Sequence, residues 1–261
     1  MPSRRSRVGM RPEPITHRLT IADAPPDTST KHRVPAPTMT EPLLEAHNLH
    51  RTGDNGTPLL TDVSLHVEPG QRWAIRGSSG AGKTVLMRAL ALLAPIDSGE
   101  ILFRGQPIEN ANVPRYRSSV IYLQQRPVLL EGTVEDNLQL PFRLRTHAKR
   151  HYDRDRIREL LSHVGRDESF LGRQREHLSG GEAQIVAVLR AIQMNPQMLL
   201  LDEPTAALDR DSVSAVESLV KDWLAEDSSR ATVWVTHDDT QTQRMSDHVL
   251  HLAGGHVVAE P

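Results

Sequence analysis

The sequence contains no cysteine, which excludes a disulfide framework, a thiolate metal site and a cysteine nucleophile. Aromatic residues make up only 3% of the 261 residues, which argues against a surface that stacks nucleic-acid bases. Neither sign of charge dominates, because 31 Lys and Arg stand against 33 Asp and Glu, so a strongly basic nucleic-acid binder is not indicated. No apolar run approaches the roughly 18 residues that a membrane-spanning helix needs.

The N-terminal residues differ in composition from the rest of the chain. Residues 1–38 hold seven prolines, and seven Lys and Arg against three Asp and Glu. Such a segment buries too little apolar surface to repay the entropy of ordering it. We therefore expect residues 1–40 to form a disordered, basic, proline-rich arm. Two other interpretations stay open: the arm contacts anionic lipid or a partner, or translation starts at Met39.

The remaining chain has the pattern of an α/β domain, which we expect to span residues 43–258. Period-two alternation or continuous apolar runs predict strands, and apolar residues three and four apart predict helices. Strands are expected at 59–67, 72–76, 198–201 and 232–236. Helices are expected at 83–93, 152–164, 181–194 and 212–224. A strand, a glycine-rich loop and a helix in that order open a parallel sheet.

The glycine-rich loop fits the phosphate-binding pattern G-x-x-x-x-G-K-[ST] at residues 77–84, GSSGAGKT. Its glycines let successive backbone N–H groups face phosphate oxygens, and the helix that follows adds its positive end. Lys83 is expected to reach the β- and γ-phosphates, and the Thr84 hydroxyl to bind Mg²⁺. A glycine turn followed by a chance Lys-Thr is the simpler alternative, but it does not explain the strand before and the helix after.

Two acidic residues end the apolar run at 198–201. Ligands of open α/β sheets bind outside the carboxyl ends of the strands, so Asp202 is expected to hold Mg²⁺ through water. Glu203 is expected to act as general base on the attacking water. Two solvated acids at a strand end are common, so this motif gains its weight from the phosphate loop upstream.

A second helix start has the features of an anion site. The segment LSGGE at residues 178–182 places the Ser179 hydroxyl and two glycines before a helix. By itself the pattern is also that of an ordinary helix start with a flexible lead-in.

Together these residues closely resemble the ATP-binding subunits of ABC transporters. The resemblance covers about residues 43–255 and includes, in the family's order, the loop at 77–84, LSGGE with Gln184, LLLDEPT at 199–205, AALD at 206–209 and VTHD at 235–238. It implies a phosphate-loop NTPase fold of the ABC type. That fold has a mostly parallel central sheet, an antiparallel β subdomain and a helical subdomain with the signature, here about residues 126–185.

The resemblance also implies roles for particular residues. In this family two domains dimerise head to tail, and the signature of one closes over the ATP on the phosphate loop of the other. Ser179 and the next two glycines would contact the γ-phosphate across that interface, where Asp209 also lies. His237 would contact the γ-phosphate and orient the water with Glu203. Gln125, favoured over Gln124 by the Pro-x-Leu that follows, would sense Mg²⁺ and relay closure to a membrane partner.

One departure concerns adenine, which the family often stacks on an aromatic residue. The matching stretch here has none, so Arg51 is the expected substitute, with His50 as the alternative. The expected nucleotide-binding residues are Gly77, Ser78, Ser79, Gly80, Ala81, Gly82, Lys83, Thr84, Val85, Arg51, Ser179, Gly180 and Gly181. The expected catalytic residues are Glu203, His237, Lys83 and Gln125, and the expected metal-binding residues are Thr84, Gln125 and Asp202. Asp209 and Ser179 are expected at a dimer interface.

The resemblance implies an ATPase that uses ATP and Mg²⁺ and energises a separate multi-span permease from the cytoplasmic face of the membrane. The expected partners are a second copy of the chain and the permease, with no nucleic acid. A weaker resemblance, over residues 122–145 and 233–239, is to a bacterial subgroup implicated in iron export. Two alternatives stay open: a soluble ABC ATPase, for instance in cofactor assembly, and a phosphate-loop kinase or GTPase with no use for Ser179.

Overall fold

Two β-sheets carry the strands of the described residues, which are 41–206 and 208–259 of a computed structural model. The first sheet is antiparallel, and its spatial order is β2 (Pro58–Val67), β1 (Leu44–Thr52), β4 (Ser98–Phe103) and β5 (Gln106–Pro107). The second sheet has the order β10 (His256–Val258), β9 (His248–Ala253), β3 (Arg72–Arg76), β8 (Ala231–Val235), β7 (Met198–Asp202) and β6 (Val120–Leu123). The predicted arm, residues 1–40, lies outside the described residues.

The second sheet is parallel except where β10 pairs with β9. A mostly parallel sheet beside an antiparallel one confirms the predicted fold class. All five residues of β7 are buried, as are all five of β8. Strands buried on both faces read as continuous apolar runs, which explains why residues 198–201 and 232–235 stand out in the sequence.

The buried side chains of β7 alternate between two hydrophobic cores. Met198 and Leu200 pack with the antiparallel sheet and the first helix, whereas Leu199 and Leu201 pack with the later helices. Successive side chains of a strand point to opposite faces, so β7 joins both cores. This position makes the end of β7 a fixed point for the residues that follow it.

Seven α-helices connect the described strands. Their bounds are α1 (Lys83–Leu90), α2 (Val113–Ser119), α3 (Val134–Gln139), α4 (Arg154–His163), α5 (Gly180–Ile192), α6 (Arg210–Ala225) and α7 (Asp239–Met245). The prediction that α1 extends to residue 93 was wrong, because the chain turns at Leu92, whose φ is 55°. Among residues 41–206 and 208–259, no helix has the length and hydropathy of a membrane span.

The segment predicted as a helical subdomain, about residues 126–185, contains α3, α4 and the start of α5. Its buried side chains, such as Leu138, Ile157 and Leu161, belong to the core on the α5–α6 side of the parallel sheet. The segment therefore shares a core with the sheet. Its bounds as a subdomain, like those of the 43–258 domain, stay predictions.

Candidate functional site

The phosphate loop connects β3 to α1 through a backbone that only glycine fits at two positions. Gly77 has φ 152° and Gly82 has φ 101°, values that side-chain-bearing residues rarely adopt. A Cβ at Gly77 would lie 2.2 Å from the Leu252 carbonyl oxygen, and one at Gly82 would lie 2.6 Å from the Leu59 carbonyl oxygen. The loop is therefore held against β9 and β2 by close backbone contacts.

The α1 helix that follows the loop has an unneutralised positive end. Its N-cap, Gly82, makes no side-chain cap, and the first turn contains no acidic residue. Lys83 is 6% exposed, and its Nζ donates to the carbonyl oxygens of Gly77 and Ser78 at 2.9 and 3.0 Å. Free backbone N–H groups, a helix dipole and an ammonium group together form a site for an anion.

Asp202 is the last residue of β7, lies beside this loop and accepts two hydrogen bonds. The Thr84 hydroxyl donates to Asp202 Oδ1 at 3.3 Å, and the Tyr122 hydroxyl donates to Oδ2 at 2.8 Å. Asp202 is 3% exposed. A hydroxyl and a carboxylate are the hard oxygen donors that Mg²⁺ prefers, so the pair Thr84 and Asp202 fits that ion.

Tyr122 was not among the residues predicted from the sequence. Burial, followed by the hydrogen bond to Asp202, raises the pKa of Tyr122 far above its ordinary value, so its hydroxyl remains a donor. Strand β6 pairs with β7 in parallel, with Tyr122 opposite Leu200. A tyrosine near the end of the strand next to the acidic motif is the signal that could have found it.

Two predicted site residues, Gln125 and His237, contact the carboxylate of a third, Glu203. Gln125 Nε2 donates to Glu203 Oε2 at 3.1 Å, and His237 Nε2 lies 3.0 Å from Glu203 Oε1. Each residue follows the carboxyl end of one of three adjacent parallel strands, β6, β7 and β8. The carboxyl ends of parallel strands share one edge, which is why residues 78 and 34 positions away from Glu203 converge there.

Glu203 is held in a left-handed backbone conformation, with φ 47°. For a non-glycine residue this conformation costs on the order of 1 kcal/mol. Its backbone N–H donates to the Val235 carbonyl oxygen at 3.1 Å, which holds the residue after β7 against the end of β8. The backbone at Glu203 is therefore locally strained, and in this conformation its carboxylate contacts Gln125 and His237.

The signature helix α5 begins with a complete capping box. The Glu182 N–H donates to Ser179 Oγ at 3.2 Å, and the Ser179 N–H donates to Glu182 Oε2 at 3.0 Å. Burial raises the pKa of Glu182, but the Ser179 N–H and the guanidinium of Arg173 outweigh that effect and hold it below its usual range. Ser179 and Gly180 remain exposed, so this helix start is rigid and accessible.

Asp209 lies next to the signature within the same chain. It caps α6 by accepting hydrogen bonds from the Ser212 N–H and hydroxyl, both at 2.9 Å, and these bonds lower the pKa of Asp209. A Cβ at Gly181 would lie 2.1 Å from Ser212 Oγ and 3.6 Å from Asp209 Oδ2. The α6 start therefore requires glycine at position 181.

Arg51 lies near the end of β1, and its guanidinium is bound to an acidic side chain. Its Nη1 donates to Asp97 Oδ1 at 2.9 Å, while the Thr52 N–H donates to Asp97 Oδ2 at 2.6 Å. The Thr52 N–H is the main cause of the lowered pKa of Asp97, and Arg51 adds to it. Arg51 is thus fixed in place, while its stacking on adenine stays a prediction.

Comparison with known proteins identifies the family. The family model for ABC transporters matches residues 60–206. The chain is 34% identical over 218 residues to ABC transporter I family member 17 of Arabidopsis thaliana, covering 84% of this chain and 81% of the relative. It is 33% identical over 212 residues to the probable iron export ATP-binding protein FetA of Escherichia coli, covering 81% and 91%.

A third relative is longer than this chain. The Fe(3+) ions import ATP-binding protein FbpC 2 of Rhodococcus jostii is 38% identical over 204 residues, which is 77% of this chain and 57% of the relative. Among solved structures, a dimeric ATP-binding cassette in a post-hydrolysis state with ADP and Pi matches with a TM-score of 0.70. That structure is 27% identical, with 84% and 97% coverage. The chain belongs to the ABC transporter family and is an ABC-type ATPase.

Proposed function

We propose that this chain is the ATP-hydrolysing subunit of a membrane transporter and works as a head-to-tail dimer of two copies. The observation that carries the proposal is the convergence of Gln125 and His237 on the Glu203 carboxylate, beside a phosphate loop with an uncapped helix start. A solved structure of similar fold is dimeric with ADP and Pi, which supports the two-chain arrangement.

The chemistry follows from residues at the edge of the parallel sheet. Glu203 accepts the proton of the attacking water, and His237 and Gln125 fix the direction of its two carboxylate oxygens. Lys83 leaves its loop carbonyls for the β- and γ-phosphates. Thr84 and Asp202 would hold Mg²⁺, with Gln125 near it, and the ion would neutralise charge on those phosphates.

The signature completes the site of the other copy. The phosphate loop packs on β2 and β9, whereas the signature packs on the α6 start, so the two phosphate-binding features contact different parts of one chain. Ser179 and Gly180 are exposed and therefore available to a second chain. In the head-to-tail dimer, Asp209 lies where the two composite sites meet.

The decisive experiment is Ser179→Arg, with Ser162→Arg on the exposed face of α4 as the matched control. The arginine side chain would occupy the space of the γ-phosphate that is bound to the partner chain, and it leaves the phosphate loop of its own chain unchanged. We expect steady-state hydrolysis to fall by about 100-fold or more, while ATP binding, measured by fluorescence titration, changes little. Turnover that survives in Ser179→Arg would contradict the two-chain site.

A companion experiment tests the dimer directly. Glu203→Gln removes the general base but keeps the shape, so ATP should hold the closed pair together. We expect a dimer by size-exclusion chromatography with ATP and a monomer without it. A monomer in both conditions would contradict the two-chain site.

Support for a metal-ion substrate comes from the names of relatives, which include both iron export and iron import. We propose that the system moves metal ions and that the permease sets the direction. Purification of the tagged chain in detergent tests the partner class: a multi-span membrane protein supports transport, whereas a soluble scaffold supports a role in cofactor assembly.

A further inference from the structure

The outer face of the antiparallel sheet carries a group of metal-ligating side chains that the ATPase chemistry does not use. Glu45 and His47 lie two residues apart on β1, and His66 lies directly opposite Glu45 on β2. Side chains at i and i+2 of one strand, and those of directly opposed residues, share a face. The three residues therefore project from the same side of the sheet.

The opposite face of these strands fixes the register of the group. Leu44 and Ala46, which flank Glu45, are fully buried in the core, and their partners Val67 and Leu65 are buried with them. A slip of one residue would exchange this core face for the polar face. Glu45, His47 and His66 are thus held by rigid backbone and not by a loop.

The distances within the group suit a small cation. His47 Nε2 lies 3.3 Å from Glu45 Oε2, and His66 Nε2 lies 3.4 Å from His47 Nδ1. One ligand atom from each residue can be chosen so that all three lie within 4.8 Å of one another. Ligands of a tetrahedral zinc ion at about 2.1 Å lie roughly 3.4 Å apart. The two short contacts end on different nitrogens of His47, so one ion would use one of these nitrogens and the other side chains would rotate toward it.

A side chain that could provide a fourth ligand lies on the other neighbouring strand. Glu100 of β4 is directly opposite His47 in the antiparallel register and is exposed. Directly opposed residues have Cβ atoms about 5 Å apart, which is within reach of a glutamate side chain. Strand β1 is thus flanked by His66 on β2 and by Glu100 on β4.

We propose that this face binds one divalent transition-metal ion of the zinc class. Its ligands are Glu45, His47, His66 and Glu100. Two imidazoles and two carboxylates match borderline ions such as Zn²⁺, whereas Mg²⁺ prefers oxygen ligands only. The site lies on the β1–β2–β4 sheet and is separate from the Thr84–Asp202 pair of the nucleotide site.

The test uses the full chain after treatment with a chelator, free of nucleotide and Mg²⁺, and titrates it with Zn²⁺ by calorimetry. The main variant is His47→Gln/His66→Gln, and the control is His151→Gln/His256→Gln, which removes two exposed histidines elsewhere. We expect the main variant to lose one equivalent of tight zinc, with at least about tenfold weaker affinity. The control should match the wild type.

Two further measurements address folding and the ligand set. The main variant should unfold at the wild-type temperature without metal and lose only the upward shift that Zn²⁺ produces in the wild type. Co²⁺ should give tetrahedral absorption bands in the wild type and none in the main variant. Glu45→Gln and Glu100→Gln should each weaken zinc binding, and an unchanged affinity would remove that residue from the ligand set.

The zinc titration can also overturn the proposed metal site. The alternative is that the three side chains interact only with each other, through the His66–His47 hydrogen bond and the contact between His47 and Glu45. Identical zinc isotherms for the wild type and His47→Gln/His66→Gln would support that explanation and overturn the metal site. ATPase activity of the main variant in zinc-free buffer should equal that of the wild type, so this outcome is independent of the proposed transport function.

Discussion

The two helix starts that the proposed function assigns to phosphate, α1 and α5, are capped in opposite ways. The first turn of any helix has N–H groups without intrahelical partners. At α1 the N-cap is Gly82, which provides no side-chain acceptor, and no acid follows in the first turn. At α5 the N-cap Ser179 and the acid Glu182 form a reciprocal capping box.

The charges at the two helix starts differ as well. The positive end of α1 is reinforced by Lys83, which is held on the carbonyl oxygens of the loop. The positive end of α5 is offset by Glu182, which forms ion pairs with Arg173 and, at 3.6 Å, with Arg166. The α1 start is therefore suited to bind an anion, whereas at the α5 start the capping box already bonds the Glu182 N–H and places a carboxylate beside the helix end.

In the proposed dimer, this difference suits the two helix starts to different parts of phosphate binding. An uncapped start gains its missing hydrogen bonds from phosphate and so provides binding energy by itself. A capped start gains less from the ligand but keeps a fixed shape, which suits an element that must dock from another chain without rearranging. We therefore expect variants of α1 to abolish nucleotide binding and variants of α5 to spare it.

The largest expected effect comes from Lys83→Ala, which removes the ammonium group from the α1 site. ATP binding, measured by fluorescence titration, should weaken by about 100-fold, or about 2.7 kcal/mol. The exposed residue Lys149 provides the control, and Lys149→Ala should bind as the wild type does. Near-normal binding by Lys83→Ala would remove the contrast between the two helix starts.

A smaller effect is expected for Tyr122→Phe, which removes the hydroxyl donor from Asp202. A hydrogen bond to a charged group contributes about 1.5 kcal/mol, so the Mg²⁺ concentration for half-maximal ATPase activity should rise by roughly tenfold. The rate at saturating Mg²⁺ should change little, because Glu203 is untouched. A lower maximal rate with unchanged Mg²⁺ dependence would instead place Tyr122 in the hydrolysis step.

The smallest effect is expected for Glu182→Gln, which weakens the α5 cap. We expect the free energy of unfolding, measured in urea at neutral pH, to fall by about 1 kcal/mol, with ATP binding unchanged. The exposed Glu176→Gln is the control. Weaker ATP binding in Glu182→Gln would show that α5 supports the loop of its own chain.

The same variant has an acid dependence with a definite sign. The folded-state pKa of Glu182 lies below its ordinary value, so its contribution to stability is present above about pH 4.3 and is lost as pH falls through the folded-state pKa. The stability difference between the wild type and Glu182→Gln should therefore shrink toward acid pH. A difference that stays constant with pH would mean that Glu182 acts through its shape alone.

Local patterns predicted most of the framework correctly. The strand at 72–76 agrees with the structure, and the apolar run at 198–201 is β7 with Asp202 as its last residue. These predictions succeeded because strand burial and glycine-rich turns leave marks within a few neighbouring residues. The end of α1 was predicted wrongly because the chain turns at Leu92, whose backbone is in the left-handed conformation. Leucine rarely adopts this conformation, so the residue type does not indicate a turn there.

The sequence by itself determined the phosphate loop, the acidic end of β7 and the helix cap at Ser179, because each depends on residues close together in the chain. Only the tertiary structure decided that Tyr122 contacts Asp202 and that Glu45, His47 and His66 share one sheet face. Those neighbours are separated by 80 residues in the first case and by a hairpin in the second. Parallel and antiparallel pairing sets which distant side chains meet, and one residue of register is enough to separate them.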